Sequence, residues 1–311
     1  MQAQLVVQPA LSGQRRYSAA ELRRSRRRRR LLPYLLVLPA VIYLLLITLY
    51  PGLFAIYQSL HVTSLMGWTW NGLGNYQKLF ADADFFKALW NTLLIGSIAL
   101  ALECAIALLL AALVYRDPWV RGWRILFLLP MLFMPSAVSF LWKLAFNDGR
   151  VINDLLMTVG LIDLPLDFLG NAALARLTLI VTDVWQWTPF LFIIFVAGLQ
   201  GQDTEIEEAA RLDGATWPKI FWNLSLPQLA PIIAVALILR GIDIVTMFAS
   251  VFIITQGTPG GATETISYFI YRTGFKQFNF GYASAASVVL LAITVITAQL
   301  FMKRFFRSAR A

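Results

Sequence analysis

An all-α, polytopic membrane protein with six transmembrane helices is what this sequence predicts, and three observations carry that prediction. Of its 311 residues 59% are hydrophobic and only 14% are charged, whereas soluble domains carry about 25% charged residues. The apolar residues gather into runs, each near the ~20 residues that a bilayer crossing needs. The basic residues behind the net charge of +9 stand beside those runs, which is the pattern of membrane flanks and not of a nucleic-acid-binding face.

In chain order, residues 1–31 form a basic tail ending in Arg23, Arg24 and Arg26 to Arg30. Such a cluster sits against anionic lipid and fixes the first span with this tail on the inner side. The first span, 32–59, is long and lacks a small-residue cleavage site, so it reads as an uncleaved anchor and not a removed signal peptide. Further spans are predicted at 90–115, 122–146, 175–200, 228–256 and 282–302, with a short tail at 303–311. Pro39 and Pro51, Pro130 and Pro135, Pro189, and Pro231 fall inside spans, where they kink a helix whose freed carbonyls its neighbours satisfy. In the loop 147–174, Val151 to Leu161 is amphipathic and suits the membrane surface. No internal repeat and no second soluble domain is apparent.

Topology follows from counting charge. With both termini inside, the inner segments hold Arg15, Arg16, the N-terminal cluster, Arg116, Arg121, Arg124, Arg211, Lys219, Lys303, Arg304, Arg307 and Arg310. The outer segments hold Lys78, Lys87, Lys143, Arg150, Arg176, Arg272 and Lys276, so the inner excess supports the assignment. It also places the polar loop 203–227 on the inner side. Several chemistries are excluded. Cys104 is the only cysteine and lies in a span, so no intramolecular disulfide or cysteine metal site can form. His61 is the only histidine, which argues against zinc and against histidine-centred catalysis. The glycines of GTPGGATET, 257–265, lack the Gly-Lys-Ser/Thr of a phosphate loop.

Four ionisable residues, Glu103, Asp183, Arg240 and Asp243, fall within predicted spans. Each costs about 2.5–3.5 kcal/mol to insert, so they face partners or a cavity and not lipid. Arg240 and Asp243 are i, i+3 and can partly neutralise each other. Asp243, Thr246 and Ser250 form a polar stripe at helical spacing, beside Phe248. Asp183, Gln186, Trp187 and Phe190 share a face of the fourth span. Aromatic faces cover the C–H face of a sugar while amides and carboxylates bind its hydroxyls, so Asp183, Gln186, Trp187, Asp243, Thr246, Phe248 and Ser250 are the candidate lining of a solute pathway. The plainer use of the charges is pairing between helices, and Glu103, set among Ala and Leu, suits that better than Asp243 does.

The stretch 205–231, EIEEAARLDGATWPKIFWNLSLPQLAP, differs from everything around it. Asp203 and Thr204 can cap a helix whose first turn carries carboxylates. Ile206, Ala209 and Ala210 give it a small apolar face. Gly214 permits a sharp turn, and Pro218 fits the first turn of a second short helix. A short helix, a glycine hinge and a second helix held outside the lipid suit insertion into a groove on a partner.

Here the chain resembles a family. Glu208-Ala209-Ala210, then Gly214, then Leu224-Ser225-Leu226-Pro227 look like the EAA loop of permease subunits of binding-protein-dependent ABC importers, with Leu224 where the family usually has Ile. Trp70, Gly72, Leu73, Asn75 and Tyr76 are similar to a stretch common after the first span of sugar permeases. The glycine-rich loop at 257 resembles their outer turn, where a periplasmic receptor docks. The resemblance implies a type I importer permease fold in a bacterial inner membrane. It implies that Glu207, Glu208, Ala209, Ala210, Asp213, Gly214, Ala215, Leu226 and Pro227 couple the spans to cytoplasmic ATPase subunits. It also implies two ATPase subunits, a second permease subunit (a paralogue in preference to a second copy) and an extracytoplasmic solute-binding protein. The chain itself would be non-catalytic and bind no cofactor, ATP being held by the partner subunits. Sugars, polyols or glycerol-phosphate are the implied solutes. The alternative is an ion-coupled carrier using Asp183 or Asp243 as a proton site, which has no need of the 205–227 loop.

Overall fold

The computed structural model describes residues 19–64, 67–147 and 151–308. Residues 1–18 of the basic tail lie outside this range. The chain divides into two units, residues 1–54 and 55–311. Helix α1 (Ala19–Ser59) supplies the described part of the first. Pro33, Pro39 and Pro51 all stay within it. Its apolar side chains from Leu35 to Leu53 are exposed, a surface that water does not suit.

In the second unit the predicted loop 60–89 is built in a way the all-α reading does not contain. Strands β1 (His61–Ser64) and β2 (Gly67–Trp70) pair antiparallel, with His61 opposite Trp70. Helix α2 (Gly74–Ala81) follows. Asn75 locks the hairpin's base, its Nδ2 donating to the carbonyls of Ser59 at 2.8 Å and His61 at 2.9 Å. The Tyr76 hydroxyl lies 2.7 Å from that of Ser59. The sole histidine is thus a packing residue, its ring against Tyr57 and Trp70.

The second span, helix α3 (Ala83–Val114), begins seven residues before the predicted start at 90. The Asp82 carboxylate caps it by accepting from the Asp84 amide at 2.9 Å. The third span is not one kinked helix. Helices α4 (Val120–Leu132) and α5 (Pro135–Phe146) meet at 85°. Pro135 holds the residue before it extended (Met134 ψ 136°), and Phe133 is extended as well, so the helix breaks. Among the described residues, five single helices are long and apolar enough to cross a membrane, six with this bent pair counted as one. Helix α6 (Val151–Thr158) is shorter than the predicted amphipathic piece, and its one buried side chain is Asn153, which brackets Leu166 with two hydrogen bonds.

Helix α7 (Ala172–Gln200), capped by Asn171, packs along α3. Buried Ala99, Ala107 and Ala111 on α3 allow the close approach that helices in lipid favour. The polar stretch becomes α8 (Thr204–Leu212) and α9 (Trp217–Ile220). A π-helical turn at Phe221–Ser225 joins α9 to α10 (Leu226–Val245), so the fifth span starts at Trp217 and ends eleven residues before the predicted 256. A Cβ on Gly198 of α7 would stand 2.5 Å from Leu229 of α10, which explains a glycine at that crossing. A second π-helical turn (Val251–Thr255), α11 (Ile266–Tyr271), a third π-helical turn (Arg272–Lys276) and α12 (Phe280–Ser308) complete the chain. The largest core cluster among the described residues joins α3, α7 and α10 through Ala107, Ala111, Leu191, Phe192, Phe195 and Leu229.

The glycine-rich segment after residue 256 is held by side chains from α3 and α7. Asn91 Nδ2 donates to the Gly261 and Glu264 carbonyls at 2.8 and 3.1 Å, Arg176 Nε to Ala262 at 2.9 Å, and Lys87 Nζ to Gly260 at 2.7 Å. Asn91 is fully buried and also accepts from Arg176 at 3.2 Å. Asn91→Ala leaves these groups unpaired, at about 1–3 kcal/mol for such a buried site. A drop in melting temperature in detergent, with proteolysis first appearing at 256–265, is the expected result; unchanged melting would contradict it.

Candidate functional site

Two places in the second unit bring polar side chains together where the sequence points to function. The first is at membrane depth. Arg240 on α10 is 2% exposed and meets three carboxylates from three helices. Its Nε and Nη2 donate to the two oxygens of Glu103 on α3 at 2.9 and 3.0 Å, a two-pronged contact. Nη2 also donates to Asp183 Oδ2 on α7 at 2.5 Å, and Nη1 to Asp243 Oδ2 at 2.5 Å. The Trp187 ring lies 5.0 Å from the guanidinium carbon, a cation–π contact. The predicted Arg240–Asp243 pair is present, and it belongs to a wider network that fastens α3, α7 and α10. Glu103 serves as the structural partner that its apolar surroundings suggest.

Beside this network lies a cavity of about 250 Å³. All seven predicted lining residues border it: Asp183, Gln186, Trp187, Asp243, Thr246, Phe248 and Ser250. The route by which they meet differs from the prediction. Helix α10 ends at Val245, Thr246 caps it, and Phe248 is non-helical, so Asp243, Thr246 and Ser250 are not a stripe on one helix. The chain turns around the cavity instead. The Thr246 hydroxyl donates to the Asp243 carbonyl at 2.7 Å, and Ser250 lies 3.3 Å from Ser139 of α5. Phe248 stacks on Phe252 and meets Tyr271 edge-on. Gln186 Nε2 donates to the Phe133 carbonyl at the α4–α5 break. Phe190 is not among the lining residues. Pro135, Met247 and Ala249 are, and sequence reading missed them. Pro135 was legible as a helix breaker, but nothing in the sequence says what the break faces. The π-helical turn after Ser250 is a backbone form common at functional sites.

The second place is the α8–α9 loop. Asp203 caps α8 by accepting from the Glu205 amide at 2.9 Å. At its other end the Gly214 amide bonds the Arg211 carbonyl and the Ala215 amide bonds the Ala210 carbonyl, each at 3.0 Å. This is a Schellman cap, which needs a left-handed residue, and Gly214 has φ +79°. Pro218 sits in the first turn of α9 as predicted. Glu207 and Glu208 part company. Glu207 pairs with Arg116 and, at 3.5 Å, with Arg211, and accepts from the Tyr115 hydroxyl. Glu208 is exposed. Gln200 carries the connection further, donating to the Tyr115 carbonyl at 2.9 Å and accepting from Arg124 of α4. The loop is thereby tied to the ends of α3, α4 and α7. Tyr115, Arg116 and Gln200 escaped sequence reading, in which Arg116 counted only toward topology. Asp213 is the exposed C-cap, Ala209 is exposed, and Ala210, Ala215 and Leu226 are partly buried, with Pro227 exposed at the start of α10. The apolar residues turned outward are larger than the small face predicted at Ile206, Ala209 and Ala210: Leu212 is 90% exposed, and Trp217 and Trp222 join Ile206.

A model of the family described as "Binding-protein-dependent transport system inner membrane component" matches residues 104–310, and the chain belongs to this family. It is therefore a membrane-spanning transport subunit. It is 35% identical over 297 residues to a probable ABC transporter permease protein, y4oQ, of Sinorhizobium fredii, covering 94% of this chain and 95% of the relative. It is 32% identical to the lactose transport system permease protein LacF of Rhizobium radiobacter, over 85% of this chain and 90% of the relative. Its fold matches a chain in the crystal structure of a bacterial ABC transporter involved in the import of the acidic polysaccharide alginate, with TM-score 0.78 at 23% identity, covering 92% of this chain and 99% of that one.

Proposed function

We propose that this chain is one of two permease subunits of an ATP-driven importer for a sugar or related polyol, and that the cavity beside Arg240 lies on the solute's path. The observation that carries the reading is the α8–Gly214–α9 loop. It holds an exposed apolar surface outside the spans while its base is ion-paired to them. Lone exposed residues need no explanation, but a capped helix and turn presenting Ile206 and Leu212, next to Trp217 at the start of the fifth span, suits a groove on a partner. Two cytoplasmic ATPase subunits are the partners proposed for it, and ATP is hydrolysed there. The second permease subunit is a paralogue, and an extracytoplasmic solute-binding protein delivers the solute on the opposite side. Both termini and the loop lie in the cytoplasm of a bacterial cell, by the charge asymmetry of the flanks. Family membership turns the reading away from an ion-coupled carrier. The sugar class rests on relatives such as the one named for lactose.

Mechanically, ATP closes the ATPase pair and draws the two loops together. The Glu207–Arg116 and Gln200–Tyr115 links pass that movement to α3, α4 and α7. Of these, α3 and α7 meet α10 at Arg240, next to the cavity. Two packings of the bundle then expose the cavity to one side or the other, with nucleotide favouring one of them.

Glu208→Lys tests the reading. Glu208 is exposed and makes no pair within this chain among the described residues, so its reversal leaves the bundle intact and acts on the partner. Uptake should fall about tenfold or more, a like-charge contact costing on the order of 1–2 kcal/mol. The amount of chain in the membrane should stay unchanged. Wild-type uptake at equal membrane level, with ATPase subunits still co-purifying, would remove the loop from the coupling role.

A further inference from the structure

The charge balance of the cavity goes one step further, on the reading that solute passes through it. Among the described residues that line it, the charged side chains are Asp183, Arg240 and Asp243, and Glu103 completes the network behind them. The one cation is saturated: each nitrogen of the Arg240 guanidinium already donates to a carboxylate, and its face lies against Trp187. It is also almost fully buried. Lys143 on α5, a further cation on an adjoining helix, is spent on the Ile253 carbonyl at 2.8 Å and does not line the cavity.

Asp243 is placed differently from the other two acids. Glu103 and Asp183 are buried, whereas the Asp243 side chain is 52% exposed. One guanidinium faces three carboxylates, so the group stays negative unless two of them are protonated together. It becomes cationic only if all three are. An entering anion therefore meets a carboxylate at the wall with no available cation behind it. A neutral polyhydroxyl solute meets an acceptor in Asp243, further polar atoms in Thr246, Ser250 and Gln186, and the aromatic side chains of Trp187 and Phe248.

We infer that Asp243 makes this cavity selective by charge, passing neutral polyhydroxyl solutes and disfavouring acidic ones such as uronates and sugar phosphates. Selectivity of this kind is a difference in affinity produced by a repulsive element. It acts in addition to whatever a solute-binding protein selects outside.

The test reads the local potential directly. In the assembled importer in nanodiscs, Cys104→Ser removes the native thiol and Thr246→Cys places one in the cavity wall. Labelling rates are then measured with a cationic and an anionic methanethiosulfonate of similar size, each divided by its rate with free thiol in solution. With Asp243 present the cationic reagent should be favoured about tenfold or more, the size expected for a nearby unit charge in a partly dry site. Asp243→Asn should bring the ratio to within about threefold of one, and Asp243→Glu should keep it, by the same charge argument. The neutralised variant should assemble, because Arg240 retains Glu103 and Asp183. If it does not, the ratio with Asp243 present still decides. A ratio near one with Asp243 in place, or a high ratio indifferent to Asp243→Asn, overturns the charge filter. A high ratio combined with labelling rates that do not respond to trapping the complex with ATP and vanadate overturns the pathway reading, and the solute selectivity falls with it.

Discussion

Arg240→Met should sharply lower the amount of folded protein. The substitution preserves much of the side chain's bulk but removes the guanidinium from Glu103 and Asp183, both buried and each left as a carboxylate without its charge partner. Breaking a buried ion pair by deleting one member costs about 3–5 kcal/mol, mostly from the charge left behind. That is a large part of the 5–15 kcal/mol typical of a whole domain. The three helices joined at this point, α3, α7 and α10, also build the largest core cluster, so the loss should appear as global melting in detergent and not as local fraying. A companion variant separates charge from packing. Arg240→Met combined with Glu103→Gln and Asp183→Asn leaves no buried charge, only the half-exposed Asp243 carboxylate, and should regain much of the lost melting temperature. Equal melting of Arg240→Met and the parent protein would show that the network contributes nothing to holding the helices. Failure of the triple variant to recover would assign the loss to packing or unmet hydrogen bonds and not to charge.

Gly214→Pro should abolish coupled transport while the spans still form. A Cβ at Gly214 meets nothing within 4 Å, so crowding plays no part. The backbone decides. Gly214 has φ +79°, and proline is confined near −65°. Proline also lacks the amide that bonds the Arg211 carbonyl at 3.0 Å. A cost of ~3 kcal/mol or more reduces the native loop roughly a hundredfold. The damage is confined to an exposed turn between α8 and α9, away from the buried helix contacts, so membrane abundance should hold. Uptake and the association of ATPase subunits should both be lost. Gly214→Ala requires the same left-handed conformation but keeps the amide, and so should be intermediate. Normal uptake in Gly214→Pro at equal abundance would mean that the turn's geometry plays no part in coupling.

Elements whose signal is local were legible in the sequence. Apolar runs near bilayer length gave the spans at 90–115 and 175–200, with errors only at their ends. Asp203, Gly214 and Pro218 each act within a few residues of themselves, and the cap, the turn and the second helix start fall where those residue types place them. The α4–α5 break was half legible. Pro135 announced a disturbance, but the angle depends on what the two pieces pack against. The hairpin at 61–70 was missed because a four-residue strand is too short for its period to stand out from an aromatic loop.

The amino-acid sequence by itself determined that this is a membrane permease with a polar, glycine-hinged loop between two spans. Hydrophobic run length, flanking charge and the spaced Glu208-Ala209-Ala210, Gly214 and Leu226-Pro227 are properties of consecutive residues, and no distant contact is needed to read them. Tertiary structure alone decided which charges meet across helices. Glu103 and Arg240 are 137 positions apart, and Asp183 and Arg240 are 57 apart. The same applies to Glu207, whose partner Arg116 lies at the end of another helix. In lipid, hydrophobicity fixes which segments become helices but says little about how their faces pair, since tails and apolar side chains are alike as solvents. The pairing is set by small residues, helix breaks and the cost of an unmet charge, and these act only once the helices are side by side.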